Sequence, residues 1–219
     1  MKKLILITRP SYDTPTHYLH FISGELKKEI EFVGEVSVID LETNKATRKE
    51  FEKALDKANP RLVLFHGHGS YDSISGQNGE ILLDKRNVKK LKSRIIYAVV
   101  CDSASELGET AIRSGEAEAY VGYDSRFVIV IDPERSTTPM NDKNFKPFKD
   151  THKKLILSLI SGINLEVSVE RTKKHIRELI REYGVRGIKD KYGDAPLIRF
   201  ALYWNLMSLK VHGNGNAVF

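Results

Sequence analysis

The sequence predicts an α/β fold: a three-layer sandwich built around a mostly parallel sheet. Two observations predict it. Short, β-branched apolar runs alternate along the chain with segments of helical period, the pattern of successive βαβ units. The runs are also continuously apolar rather than alternating, which suits strands covered by helices on both faces. With 219 residues, 41% hydrophobic and 29% charged, the composition is that of a folded globular protein and not of a disordered one.

The elements follow in order. Residues 3–8 read as a buried strand, and Pro10 with the Ser-Tyr-Asp-Thr-Pro segment after it as a loop. Leu19, Ile22, Leu26 and Ile30 set a helical stripe over residues 17–30. Residues 36–41 are a second strand. Thr43 or Asn44 caps a helix that runs to Ala58 and stops at Asn59-Pro60. The third strand, residues 61–65, opens directly onto His66-Gly67-His68-Gly69-Ser70. Residues 71–80 are a polar loop, 81–83 a short strand, and 88–91 a helical turn. Residues 94–100 form a strongly apolar fourth main strand that ends at Cys101. Ser103 or Ser105 then caps a helix through Arg113, with Glu106 as the capping-box acid of Ser103, and Gly115 closes it. Residues 117–123 and 127–131 complete the strands. Residues 132–150 hold three prolines and read as an irregular excursion. Helices follow over 153–163 and 167–183, then a Gly-rich connector over 184–195. A last helix over 196–209 places Leu197, Phe200, Ala201, Trp204, Met207 and Ser208 near one face, packed on the sheet. The simplest organisation is one domain over 1–219, with a sheet core in 1–131 and an irregular excursion and C-terminal helices in 132–219.

Composition excludes several classes. One cysteine permits neither an intrachain disulfide nor a thiolate metal cluster, and it favours a reducing compartment. The formal charge of +6 is spread over separate lysine pairs, so neither a nucleic-acid nor a membrane footprint is expected. The apolar run after the initial Met-Lys-Lys is too short for a signal peptide, and no run approaches a membrane span. A cytoplasmic location is the expectation. No GxxxxGK[ST] or GxGxxG follows a strand, which argues against a nucleotide-binding protein.

Ligands of open parallel sheets gather beyond the carboxyl ends of the strands. Two chemistry-bearing features meet that condition here: the histidines after the third strand and Cys101 after the fourth. A cysteine between strand and helix gains thiolate character from the positive end of the helix, which lowers its pKa from about 8.5. A histidine in reach takes the proton and later returns it to the leaving group. Gly67 and Gly69 let the backbone beside His68 pass close to a substrate, and the N–H groups of Gly69 and Cys101 are candidate oxyanion donors. His66 and His68 share one face of a regular strand, but the glycines argue that one turns into the cleft and the other supports the sheet edge.

These residues resemble the caspase-like (clan CD) cysteine peptidases. An apolar strand ends in a His-Gly motif, Leu62-Val63-Leu64-Phe65-His66-Gly67-His68-Gly69. A Gly/Asp-rich loop and a short strand follow, and a second strand ends in the cysteine, Ile95-Ile96-Tyr97-Ala98-Val99-Val100-Cys101-Asp102-Ser103-Ala104. The Gly-His-Gly form looks most like CHAT-domain and separase proteins. The likeness covers residues 61–123 and departs at Val100 before the cysteine and Ser103-Ala104 after it. It implies a caspase-like fold, a general base at His68 rather than His66, a nucleophile at Cys101, and a peptide or protein substrate cleaved without metal or organic cofactor. Relatives set acidic side chains under a basic P1 residue, and Asp13, Asp102 and Asp124 are the carboxylates at this sheet edge, whereas Arg9 would select an acidic P1.

Two other readings stand beside the endopeptidase. One is a catalytically inactive interaction or regulatory module that meets a protein partner through the charged helix 167–183. The other is a metal-dependent hydrolase using His66 and His68 with Asp72 or Asp102.

Overall fold

The computed structural model describes residues 3–32, 34–189 and 193–219. In chain order the strands are β1 (Lys3–Arg9), β2 (Val36–Glu42), β3 (Leu62–His66), β4 (Ile74–Ser75), β5 (Ile81–Leu83), β6 (Ile95–Val99), β7 (Ala119–Tyr123) and β8 (Leu209–Gly213). The helices are α1 (Thr14–Phe32), α2 (Arg48–Ala58), α3 (Glu106–Arg113), α4 (Lys146–Ile160), α5 (Leu165–Lys189) and α6 (Ala195–Ser208). The main sheet runs β2-β1-β3-β6-β7-β8, parallel throughout except for antiparallel β8, while β4 and β5 pair as a separate hairpin.

Alternation along each strand sorts the core into two halves. Ile5, Ile7, Leu62, Leu64, Ile95, Tyr97 and Val121 pack with α1, α4, α5 and α6 on one face. Leu6, Val63, Phe65, Ile96, Ala98 and Tyr120 pack with α2, α3 and the β4–β5 hairpin on the other. The result is the α/β three-layer sandwich with a mostly parallel sheet. Among the described residues no helix is long and apolar enough to cross a membrane.

Several boundaries differ from the sequence reading. Residues 43–45 form a single 3-10 turn, and the cap of α2 is Thr47, whose side chain accepts from the Glu50 N–H. Residues 127–131 are not a strand. They lie half-buried over the core, and the Asn205 side chain takes the place of a ladder: it donates to Val128 O and accepts from Val128 N–H. The sixth strand is instead β8, so the sheet is completed from beyond residue 131. α4 starts within the segment read as irregular, because Pro147 occupies its first turn, where no N–H is needed. α5 continues through Gly184 and Gly187 to Lys189, and both glycines face α6, where a Cβ would make ordinary contact with Arg199 and Pro196. Residues 190–192 of the supposed connector lie outside the described residues.

Candidate active site

β3 and β6 are neighbours, with His66 opposite Val99. His68 and Cys101 therefore stand two residues beyond the same rung, at the carboxyl edge of the sheet. Gly69 seats this juxtaposition. A Cβ there would lie 2.9 Å from Ser73 O and 3.2 Å from Cys101 O, so a side chain would push the histidine loop away from the cysteine. Gly67, at φ +135°, adopts backbone that side-chain-bearing residues avoid, and its missing Cβ also clears Pro10. The Gly-His-Gly spelling thus follows from two close approaches.

The two histidines part company. His66 is 1% exposed. Its Nδ1–H donates to Thr8 O at 3.2 Å, and its Nε2 accepts from His152 Nε2–H on α4 at 3.0 Å. Burial drives its pKa down to about 4, and burial together with His66 pushes His152 well below the ordinary histidine value. Both rings are held neutral. Because both His66 nitrogens are engaged there, His66 and His68 do not form a ligand pair, and no cluster with metal-ligand geometry occurs among the described residues. The metal-hydrolase reading of these two histidines is corrected on that ground.

His68, with 40% of its side chain exposed, turns outward to Asp13, and Nε2–H donates to Asp13 Oδ2 at 2.7 Å. Asp13 also caps α1: its Oδ1 accepts from Thr16 N–H at 2.9 Å while Thr16 Oγ1 accepts from Asp13 N–H at 3.1 Å. The cap fixes one carboxylate oxygen and leaves the other for the imidazole. Burial opposes ionisation of Asp13, but the bonds from Thr16 and His68 prevail and hold its pKa below the usual carboxylate range. An ionised Asp13 requires the proton on Nε2, so Nδ1 is the basic nitrogen of His68. The ring of Tyr12 meets His68 edge-on at 6.0 Å.

Cys101 is half-buried. Asp102 follows it in the left-handed region, at φ 59°, which Asp tolerates better than most residues. The turn is pinned to the chain after β7, with Asp102 N–H on Ser125 O and Ala104 N–H on Tyr123 O, each at 3.0 Å. α3 begins only at Glu106, and Ser105 Oγ donates to Asp102 O rather than capping it; Ser103 is fully buried. The cysteine is therefore not on the helix N-terminus. Burial pushes the Cys101 thiol up and Asp102 adds to this, while the Phe127 N–H and the Arg126 charge oppose it. The expected depression of the pKa is corrected: the resting thiol is protonated, and no bond joins it to His68 among the described residues. Alkylation by iodoacetamide should rise with pH to an inflection above about 8.5, the free-cysteine value. An inflection near neutrality would contradict this burial.

Neither the Gly69 nor the Cys101 amide is bonded to a backbone carbonyl among the described residues; the Cys101 N–H lies toward its own sulfur. The three carboxylates do not gather. Asp13 belongs to His68, and Asp124, beyond β7 on the far side of Cys101, pairs with Lys210 at 3.3 Å. Asp102, beside the nucleophile, has no ion pair among the described residues. Arg9 is buried in a bidentate bond to Asp40 and a further one to Glu42, so it is not a cleft residue. The sequence reading missed Asp13 as the partner of His68, although Asp13-Thr14-Pro15-Thr16 carries a capping signal at the correct strand end. His152 had no such signal, being 86 positions from His66.

No family profile matches the sequence, and no curated protein does. Two solved structures share the fold over 99% of this chain. The complex of Porphyromonas gingivalis RgpB pro- and mature domains does so at 14% identity with a TM-score of 0.59. The Arg-specific cysteine proteinase gingipain R (RgpB) does so at 15% identity with the same TM-score of 0.59. The chain spans about half the length of these two, 48% and 47%. At this identity the likeness establishes the fold alone, an α/β sandwich shared with these two structures.

Proposed function

We propose that the chain is a cysteine endopeptidase with Cys101 as nucleophile and His68 as general base. The observation that carries it is the Asp13–His68 bond: it engages Nε2 and leaves Nδ1 without a hydrogen bond among the described residues, on the strand end next to that of Cys101. The Cys101 Sγ–H proton passes to His68 Nδ1 as sulfur bonds to the scissile carbonyl carbon. The carbonyl electrons move onto oxygen, where the Gly69 and Cys101 amides donate to it. As the tetrahedral intermediate collapses, the C–N bond breaks and Nδ1 returns the proton to the leaving amine. Water, deprotonated by the same nitrogen, then adds to the thioester carbonyl; the C–S bond breaks, the acid product leaves, and Nδ1 returns the proton to sulfur. Because the resting thiol is protonated, substrate binding precedes thiolate formation. The Gly-His-Gly form resembles that of CHAT-domain and separase proteins.

Asp102 is the carboxylate that selects a basic P1 residue, since Asp13, Asp124 and Arg9 are otherwise engaged. Asn keeps the shape and tolerates the left-handed backbone, so Asp102→Asn should lower kcat/KM for an Arg amide about tenfold, the loss of one charged contact. The wild type should prefer Arg over Glu at P1. Cleavage of neither by the wild type, or equal rates for wild type and Cys101→Ala, would remove the peptidase reading. A non-catalytic interaction module is the second reading; the protonated thiol and the lack of a His68–Cys101 bond favour it, and turnover decides.

A further inference from the structure

α6 has two apolar faces. Ile198, Ala201, Leu202 and Asn205 are buried against the core. The opposite face carries Leu197, Phe200, Tyr203, Trp204 and Met207, which are between 40% and 60% exposed. At 3.6 residues per turn these five form one continuous stripe about 120° wide. Of the six residues expected to pack on the sheet, Ala201 and Ser208 are buried, whereas Leu197, Phe200, Trp204 and Met207 face outward. A surface helix ordinarily shows polar residues on its outer side, so a stripe of five large apolar side chains marks a contact surface.

The stripe leads to Cys101. β8 follows α6 directly and runs antiparallel to β7, with Leu209 opposite Tyr123, so the C-terminal end of α6 arrives at the edge of the sheet that holds the cysteine. There Ser208 O accepts from Asp124 N–H, and Trp204 Nε1–H donates to Arg126 O, both at 2.9 Å. The same short segment closes over the nucleophile, through Ser125 O to Asp102 N–H and the Phe127 N–H toward the thiol. Residues 124–127 thus touch both the C-terminal end of α6 and the turn that carries Cys101. Arg126 and Arg199, both exposed, flank the stripe. A cavity of about 290 Å³ opens between Ile180, Pro196, Arg199, Phe200 and Tyr203.

We propose that this face is a docking surface for the substrate chain itself: it takes an extended polypeptide segment of apolar residues interspersed with acidic ones, continuous with the peptide at Cys101. The proposal rests on the peptidase reading. Apolar side chains lie on the Phe200–Met207 stripe, and acidic ones meet Arg126 and Arg199.

Trp204 is the chain's single tryptophan, so it reports on this face alone. The probes are a long tryptophan-free peptide with Leu, Phe and Glu flanking an Arg, and a blocked tripeptide amide ending in Arg. On the full chain carrying Cys101→Ala, the long peptide should blue-shift Trp204 emission and the tripeptide should not. In the active protein, Phe200→Ser with Met207→Ser should lower the ratio of kcat/KM for long over short substrate about tenfold, as loss of an apolar anchor does. Circular dichroism checks the fold of the variant. An unshifted emission with an unchanged ratio overturns the proposal, and so does a concentration-dependent dimer that this variant abolishes, which would make a second copy the occupant. Absence of tripeptide cleavage strikes the peptidase reading instead, while the fluorescence titration still reads docking.

Discussion

His68→Ala should yield a folded protein whose peptide turnover falls by roughly 10²–10⁴, the range lost with a general base. The side chain is half-exposed and bonded to Asp13 alone, so little of the fold depends on it. In the proposed mechanism its removal takes away the base that accepts the thiol proton. His66→Ala, two residues away, should behave oppositely. That ring joins Thr8 on β1 to His152 on α4, and its loss opens a cavity and strands both partners, at a cost on the order of 2–3 kcal/mol in stability. Its effect on turnover per folded molecule should be far smaller. The measurement is turnover of an Arg peptide amide by each purified variant, with far-UV circular dichroism and urea midpoints alongside. Loss of turnover in His66→Ala with a mild effect in His68→Ala would reverse the assignment.

The second large effect is acid sensitivity from the same buried pair. His66 is held neutral with a folded pKa of about 4, whereas an unfolded histidine titrates near 6.5. Between those values the unfolded chain binds the proton that the folded chain refuses, so stability falls as pH drops through this window. The full difference for His66 is about 3 kcal/mol at 1.36 kcal/mol per pH unit, and His152 acts in the same direction. The charged and titratable neighbours are Arg9, Asp40 and His20 around His66, and Tyr97, whose ring lies tilted against His152 at 5.4 Å. Carboxylates such as Asp40, whose pKa is lowered despite burial by Arg9 and Lys27, also lose stability in acid, so the wild type alone does not isolate the pair. Urea unfolding at neutral pH and near pH 4.5 should therefore be compared with a His66→Asn/His152→Leu variant. That variant should be less stable at neutral pH yet lose about 2–3 kcal/mol less over the interval. Equal slopes would show that the histidines ionise within the fold.

What the sequence revealed follows from how each element is stabilised. β1, β3 and β6 are buried on both faces, and continuous apolar runs announce that burial. Phe127 to Ile131 shows the same run without being a strand, because a clasp from Asn205 on α6, far along the chain, replaces the ladder. β8 escaped notice since Lys210 and His212 interrupt it. Within the site, the strand-end placement of His68 and Cys101 was legible because glycine spacing and strand ends are local features. The thiol's pKa was not, because it depends on where α3 begins and on how the chain after β7 buries the sulfur. Asp13 was read as a substrate carboxylate, but the capping geometry of α1 gives it to His68. The apolar residues of α6 were recognised, yet periodicity alone cannot say which of two apolar faces meets the core.

The most direct test joins the two candidate catalytic residues in one measurement. An acyloxymethyl ketone bearing a P1 Arg is incubated with the protein at neutral pH, and the adduct is mapped by mass spectrometry. Burial holds the resting thiol protonated, so iodoacetamide should label slowly; under the proposed mechanism the Arg ketone labels quickly, on Cys101, with the rate falling sharply in His68→Ala. Labelling no faster than iodoacetamide, or unaffected by His68→Ala, would contradict a His68–Cys101 peptidase site.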